Sequence, residues 1–574
     1  MAYDGITMAA VCQELNQLLD GARVEKIYQP RALDIALHIR TQKKNFLLLC
    51  SAESQLPRIH LSSAKADNPA APPSFCMLLR KHLTGARLLA VTQNGLERIL
   101  TLTFRAYDDF GNETKKHLIC EIMGKHSNII LTIPDDDGEL MILGAAKTVT
   151  DAMSRHRAVM ANEPYFLPPS HDKLELFAIN EEDLAAKLLN LPEQQVDRML
   201  IAAVMGLGVD VASDLVWRAG GDDITHPLEA IRPLTMELLK LAEVVQNGKF
   251  QPCIIRNPGS NPIFSPVPLQ QYPQEFITFY PTVNEALDAY YREILDARQL
   301  GEVKRRLTQA VRTALIRAEK KERLQKQELL EMAGADHYRM WGELLTASLY
   351  LLKPGMKSVS VPDYYAASCS EITIPLNPAL HPQQNAKRYF KKYRKLKDGE
   401  KILRIRLHET TTELNYLESL LTALEHADLP TLLEIREEME QTGLIRDKHD
   451  KKKAPVEPIS SPLHILSSDG IHIFVGRNNK QNDRLTLKDA ASNDIWLHTK
   501  DIPGAHVIIK SPEPPEQTLY EAAMLAARYS RAAASSNVPV DYTHVKHVRK
   551  PKGAKPGMVI YDHQRTLFVT PTDI

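Results

Sequence analysis

The side chains in this sequence whose types and spacing could do chemistry are polar islands at turns and tracts of cations. Glu97-Arg98 follows the turn residues Asn94-Gly95. A guanidinium can fork onto a phosphate or the Hoogsteen edge of a base, and the neighbouring carboxylate can accept from an exocyclic amine or orient the arginine. The run EIMGKHSNIIL, residues 121–131, carries a strand into Gly124 and then presents Lys125, His126, Ser127 and Asn128 before a second strand. Such a hairpin tip offers several donors to phosphate or ribose, although a solvated turn would carry the same residues. Gly206-Leu207-Gly208 sits between two helical patterns, which reads as a helix-hairpin-helix. Its glycines would let backbone N–H groups approach a phosphate, with the second helix offering its N-terminus; a tight αα-hairpin turn is the alternative.

Two basic tracts extend this chemistry. Residues 387–406 hold ten Lys/Arg against two acids, with Lys387, Arg388, Lys391, Lys392 and Arg394 interleaved with Tyr389, Phe390 and Tyr393. A solvated helix face would explain charge alone, but cations mixed with aromatics favour RNA contact. Residues 544–557 hold five Lys/Arg and no acid, among them Lys546, Arg549, Lys550 and Lys552. Prolines and glycines in that stretch predict an extended loop able to follow a phosphate backbone. His498, Asp501 and His506 lack a further ligand at metal spacing and have basic neighbours, so neither a metal nor a catalytic centre is expected there.

The elements that must position these residues follow from periodicity. Met8, Val11, Leu15 and Leu18 predict a helix over 7–20. Strands are expected at 23–28, 33–39, 46–50, 58–61, 88–91, 98–104, 117–122 and 129–132, with a helix over 74–83 and Ser74 as its cap. Many short strands with few helices predict an antiparallel α+β sandwich. Residues 285–333 and 383–426 read as long helices. In the second, Tyr393, Glu400, Leu407, Leu414 and Leu421 repeat every seven residues, as do Tyr389, Leu396, Leu403, Thr410, Leu417 and Leu424. That is a coiled-coil seam about 65 Å long, and two such helices around a ~50-residue tip predict an antiparallel arm. The basic, proline-containing stretch 446–462 reads as a linker. Beyond it, Ser467-Ser468-Asp469-Gly470 between apolar runs predicts a hairpin, followed by a helix over 519–534, in a compact α+β module.

The 574 residues suggest about three to five domains. The formal net charge is zero, from 71 Lys+Arg and 71 Asp+Glu, which excludes a uniformly polyanion-coating protein and an acidic disordered one. Residues 301–327 hold nine Lys/Arg against three Glu, so the neutral total averages unlike regions. No stretch reaches 18 uninterrupted apolar residues, and the N-terminal residues lack the basic and apolar regions of an export signal. The six cysteines form no Cys-x-x-Cys pair and are expected in cores. A cytoplasmic protein with no membrane partner is expected.

The segments PPSFCMLLRKHLTGA, EIMGKHSN, the GLG turn, LNPALHPQQNAKRYFKKYRKLK, SSDGIHIFVGRNNKQND, DIWLHTKDIPGAHVIIK and HVKHVRKPKGAKPG occur in this order along the chain. In these segments the sequence resembles the NFACT family of ribosome-associated quality-control factors. The resemblance implies a multidomain α+β fold. Its parts would be an NFACT-N domain over 1–175 with a glycosylase-like β-sandwich, a helix-hairpin-helix domain over 176–284, a coiled-coil and middle domain over 285–445, and a linker with an NFACT-R RNA-binding module over 446–574. It implies a cytoplasmic, ribosome-associated factor that binds large ribosomal subunits obstructed by peptidyl-tRNA and recruits alanyl-tRNA. The stalled chain would then grow an untemplated alanine tail that marks it for degradation. The coiled coil would reach ribosomal RNA and proteins of the stalk base.

On that resemblance Glu97-Arg98 matches the family's acidic–arginine pair linked to tRNA recruitment. Many relatives place Asp where Glu97 stands, so the carboxylate here reaches one methylene further. Glu121, Ile122 and Met123 match a second tRNA-linked motif, and Lys125, His126 and Asn128 join them as candidate tRNA contacts. Gly206, Gly208 and the basic residues of the two tracts are candidates for the RNA backbone. Peptide-bond formation would belong to ribosomal RNA, so no cofactor and no catalytic residue is expected. Related DNA glycosylases use an N-terminal proline amine and a zinc finger; this sequence begins Met1-Ala2-Tyr3, and the glycosylase chemistry is not expected. The competing reading is a fibronectin-binding surface adhesin, a label relatives have carried, with fibronectin as its partner.

Overall fold

An aspartate opens the first helix. The computed structural model describes residues 3–64, 68–107, 111–150, 152–153, 157–169, 172–192, 195–221, 230–366, 370–446 and 460–571. In it, α1 (Gly5–Leu19) starts two residues before the predicted helix because the Asp4 carboxylate accepts from Thr7 N–H at 2.7 Å. Cys369 and most of the expected linker lie outside the described residues. The chain forms two compact units, 1–297 and 298–574.

In the first unit, β1 (Arg23–Arg31), β2 (Asp34–Arg40), β3 (Asn45–Ser51) and β4 (Arg58–Leu61) make an antiparallel meander. Helix α2 (Ser74–Leu83) intervenes. Ser74 is its first helical residue rather than its cap: Pro73 occupies the cap position, and no side chain bonds the first turn. A second meander comprises β5 (Arg87–Gln93), β6 (Ile99–Tyr107), β7 (Glu113–Glu121), β8 (Asn128–Pro134) and β9 (Leu140–Ala145). The strand order is β4-β3-β2-β1-β5-β6-β7-β8-β9. The halves meet through one ladder pair, Arg23 with Arg87, flanked by Val24 N–H to Ala86 C=O at 2.9 Å. Their inward residues share one core: Ile35, Leu37 and Leu48 from one half, Leu100, Leu102 and Leu118 from the other, with Leu15 of α1 and Leu79 of α2. Cys50 on β3 and Cys120 on β7 are buried in that shared core, so the sheet folds back on itself as a sandwich. All expected strands are present; β9, half-exposed and interrupted by Gly144, escaped the alternation rule.

A second core in this unit is helical. Helices α3 (Glu181–Leu189), α4 (Val196–Ala203), α5 (Val209–Ala219) and α6 (Ile231–Asn247) bury Leu184, Leu200, Leu215 and Leu238 together with Ile6 of α1 and Leu96. Strands β10 (Cys253–Ile255), β11 (Ile263–Ser265) and β12 (Ile277–Phe279) add a three-stranded sheet.

Helix α7 (Val283–Met332) leads into the arm. Helix α8 (Ala335–Ala347) and the hairpin β13 (Ser358–Pro362)–β14 (Glu371–Pro375) form the tip, and α9 (Pro382–Glu425) returns. Antiparallel pairing of α7 with α9 is fixed by Lys304 Nζ to Glu425 C=O at 2.6 Å and Thr411 Oγ1 to Glu322 at 3.4 Å. Every seam residue of both heptad series is buried or half-buried, as a coiled-coil seam requires. Helix α10 (Leu429–Gln441) packs Leu432, Ile435 and Met439 onto Tyr416, Leu420 and Leu424 of α9.

The C-terminal module holds β15 (Leu463–Leu466), β16 (His472–Val475), α11 (Asn479–Arg484), β17 (Ile495–Thr499), β18 (Val507–Ile509), α12 (Glu516–Arg528), β19 (Val538–His544), β20 (Val548–Arg549), β21 (Ile560–Tyr561) and β22 (Arg565–Val569). The main sheet runs β15-β16-β18-β17-β19-β22. Small Ala522, Ala523, Ala526 and Ala527 bring α12 close against it. The helix expected over 519–534 stops at Arg528, because Ser530 pairs with Gly504 and Arg531 N–H donates to Pro503 C=O at 3.1 Å.

Candidate nucleic-acid interface

Strand register builds the site. Ile99 on β6 pairs with Glu121 on β7, and Glu121 pairs with Asn128 on β8. One step beyond, Ile122 N–H donates to the Arg98 carbonyl at 2.9 Å. The two polar motifs singled out from the sequence are therefore stitched side by side at one end of the sheet. The Glu97-Arg98 loop closes as a turn, Glu97 N–H to Asn94 C=O at 3.0 Å. Gln93 Nε2 donates to the Glu97 carbonyl at 2.8 Å and to the Gly5 carbonyl at 3.0 Å, tying the loop to α1.

Both side chains of the pair are half-exposed and border a cleft of about 200 Å³. Lys173 lines the same cleft, its Nζ donating to the Ile201 carbonyl at 2.7 Å. Burial lowers the Lys173 pKa, nearby Arg98 lowers it further, and Glu97 opposes both. Arg98 and Lys173 bring two cations to the cleft, and Glu97 and the buried Asp4 two carboxylates, so the lining offers both a partner for an anion and acceptors for a hydrogen-bond donor. Lys173 lies far along the chain from Arg98, and no local pattern marked it.

The GLG turn forms another wall of the cleft, and its glycines are explained by packing. Gly206 has φ +91°, and its carbonyl accepts from Gly5 N–H at 3.0 Å and Ile6 N–H at 3.3 Å. A Cβ on Gly206 would lie 2.7 Å from Leu96 Cβ, and one on Gly208 would lie 2.5 Å from Asp4 Oδ2. The Asp4 carboxylate, whose pKa burial raises, accepts from Gly208 N–H as well as from Thr7 N–H. This corrects the expectation for Gly206 and Gly208. The helix-hairpin-helix is present, but an internal aspartate already occupies the N-terminus of α5, where a phosphate was to sit.

The 121–128 segment divides in two. Glu121 is fully buried; its Oε1 accepts from Tyr165 OH at 2.9 Å, and its Oε2 pairs with Arg157. Ile122 is fully buried in the sandwich core. Asn128 is buried too, with Nδ2 donating to the Lys147 carbonyl at 2.9 Å and Oδ1 accepting from Ile129 and Lys147 N–H groups. These three are buried among protein partners and do not reach the surface; they hold the tip in place. Met123 is half-exposed, its N–H bound by Ser127 Oγ at 2.8 Å, and Lys125 and His126 project outward on a 3-10 turn, Gly124–His126.

In the arm, Lys387, Arg388, Lys391 and Arg394 are exposed beside the buried seam. Lys392 differs: its Nζ bonds Tyr338 OH at 2.8 Å and sits 4.0 Å from the ring centre, inside the cluster of Tyr338, Trp341 and Tyr389. In the C-terminal loop, Lys546 and Lys552 are exposed, and Arg549 reaches Asp562 at 3.7 Å. Lys550 pairs with Asp483, which also accepts from Gly557 N–H at 3.1 Å, so Lys550 clamps the loop onto α11 instead of facing solvent.

Exposed cations therefore recur on the sheet end, the arm and the terminal loop, each fixed from beneath by buried polar or apolar anchors. Residues 4–457 match the NFACT N-terminal and middle domains, and residues 462–562 match the NFACT protein RNA binding domain. The chain belongs to the NFACT family. The NFACT RNA-binding match takes in the terminal loop, including Lys546 and Lys552. Among NFACT relatives, the chain is 38% identical over 578 residues to "Rqc2 homolog RqcH" of Bacillus subtilis, covering 100% of this chain and 98% of that one. It is 35% identical over 575 residues to the protein of the same name from Streptococcus suis, covering 100% and 99%. A solved structure titled as the C-terminal of the fibronectin/fibrinogen-binding protein from Streptococcus suis is 37% identical, with a TM-score of 0.39, covering 48% of this chain and 96% of that one.

His498 and His506 come together on this NFACT module with ring centres 5.5 Å apart, while Asp501 stays exposed. Among the described residues, His547, Asp562 and His563 have ligand atoms within 4.8 Å of one another, but Arg549 beside Asp562 opposes a cation. No helix among the described residues is long and apolar enough to cross a membrane.

Proposed function

We propose that this protein is a ribosome quality-control factor. Its first unit holds a tRNA at the Glu97–Arg98–Lys173 cleft, while the arm and the terminal module engage ribosomal RNA. The carrying observation is the Ile122–Arg98 backbone bond, which joins two sequence-distant motifs beside a cleft with two cations. The full-length likeness to proteins named Rqc2 homologues supports the same reading.

In detail, the partner is a large subunit obstructed by peptidyl-tRNA, the recruited species is alanyl-tRNA, and the product is an untemplated C-terminal alanine tail on the stalled chain. The four-part organisation over 1–175, 176–284, 285–445 and 446–574 divides this work between tRNA holding, hairpin support, reach toward the stalk base and RNA binding. The peptide bond itself is made by the ribosome, so the protein's contribution is binding and orientation. Arg98 and Lys173 meet phosphate or base, and Glu97 orients Arg98 or accepts from a base amine.

The test is the double substitution Glu97→Ala with Arg98→Ala. Comigration with free large subunits in a sucrose gradient is expected to persist, while alanine tailing of stalled chains is lost. Normal tails in that variant would overturn the assignment. Recovery of the protein solely on the cell surface, with no subunit association at low salt, would instead favour the adhesin reading.

A further inference from the structure

A cavity between the C-terminal module and α9, which contributes Asn415, Tyr416 and Ser419 to its wall, is left unused by the proposed function. It measures about 360 Å³, near the lower end of ligand sites of about 300–1,000 Å³. We propose that this cavity receives one unstacked base of single-stranded RNA, walled by Trp496, His498, His506 and Tyr561, while the basic loop over 544–557 holds the flanking phosphates.

Ring geometry favours a flat heterocycle. Trp496 and His498 lie nearly parallel at 5.7 Å, His506 stands at 83° to Trp496 at 5.3 Å, and Tyr561 leans on Trp496 at 4.7 Å. Aromatic walls of this kind hold splayed-out bases in many RNA-binding folds. Trp496 is fully buried, yet its indole N–H has no hydrogen-bond partner. An unsatisfied buried donor is costly, and an acceptor on a base edge would satisfy it. The walls are otherwise pinned: His506 Nδ1 lies 2.8 Å from Thr486 Oγ1, and Tyr561 OH donates to Asp541 at 2.9 Å.

Charge separates the base from its phosphates. Burial pushes His498 down to about 4 and lowers His506 as well, so both imidazoles are neutral near pH 7 and suit an uncharged ring. Asp501, exposed on the rim with φ +54°, offers a carboxylate to an exocyclic amine. The same loop that carries exposed Lys546 and Lys552 supplies Gly557 to the cavity wall. Lys555 places its Nζ 4.4 Å from the ring centre of Tyr416, which also lines the cavity, so a cation stands at the edge where a phosphate flanking the base would pass.

This inference rests on the module binding RNA, and the test separates the two. The full-length protein is bound to a single-stranded RNA dodecamer carrying one 4-thiouridine, irradiated, and mapped by mass spectrometry. Crosslinks within 415–419, 494–506 or 557–561 are expected. Affinity, read by fluorescence anisotropy, is expected to fall roughly tenfold in Trp496→Phe and severalfold in the rim variant Asp501→Gly, with thermal unfolding unchanged in the latter because glycine adopts the positive φ without strain. RNA bound with crosslinks confined to 546–552 or to arm residues outside 415–419 overturns the base pocket and leaves RNA binding standing. No RNA binding overturns both. Nucleoside monophosphates binding as tightly as the dodecamer would reassign the cavity to a free nucleotide.

Discussion

Glu97-Arg98 and the 121–128 segment occupy the same end of one sheet, read alike as polar islands, and have opposite physical fates. The first keeps its charges half-exposed on a cleft. The second buries Glu121 and Asn128 completely enough that each is satisfied by protein partners. The difference teaches that a polar island can serve in two ways: it can present its side chains on a cleft, or it can hold rigid the backbone that presents them. Here Glu121 anchors β7, and the next residue, Ile122, donates the bond that positions Arg98.

Glu121→Ala should have the largest effect. It leaves Arg157 without its buried partner and Tyr165 without an acceptor, a loss of about 3–5 kcal/mol on the pattern of broken buried ion pairs. Chemical denaturation should show it, whereas Glu97→Ala should change stability by less than about 0.5 kcal/mol. Equal destabilisation by both would erase the distinction drawn between the motifs.

The same contrast recurs in the C-terminal module between His498, packed against Trp496 and His506, and exposed Lys546, and pH sharpens it. His498 has a folded pKa of about 4, below the unfolded value of about 6.5. Between those values the unfolded chain binds the proton more tightly, so its contribution to stability is intact above about pH 6.5 and declines as the pH falls toward 4. Denaturation midpoints of the module's unfolding should fall with pH across that window, and His498→Gln should flatten the slope. Lys546→Ala should leave the slope unchanged.

The smallest effect is expected at the exposed tip. Lys125→Ala with His126→Ala should leave thermal unfolding unchanged and weaken tRNA binding by less than about 1 kcal/mol, with a shallower salt dependence. A loss as large as that of the Glu97/Arg98 double variant would move the main contact from the cleft to the tip.

Much of the fold was legible because it rests on local periodicity. The expected strands of the sandwich, the heptad seam from Tyr389 to Leu424 and the hairpin at Ser467–Gly470 all follow from residue types repeating every two or three to four positions. Boundaries failed where a distant contact intervened. Ser530 pairing with Gly504 ended α12 early, and edge strand β9 is too exposed to alternate.

The sequence by itself therefore determined which segments are strands and helices, where cations concentrate, and the family to which the chain belongs. Tertiary structure alone decided which polar residues face outward. Glu121, Asn128, Gly208 and Lys550 carry the same donors and acceptors as their exposed neighbours, yet Arg157, Lys147, Asp4 and Asp483 claim them from 19 to 204 positions away. It also brought Lys173 to Arg98. The physical reason is that hydrogen bonding and burial depend on proximity in space, while periodicity records only proximity along the chain.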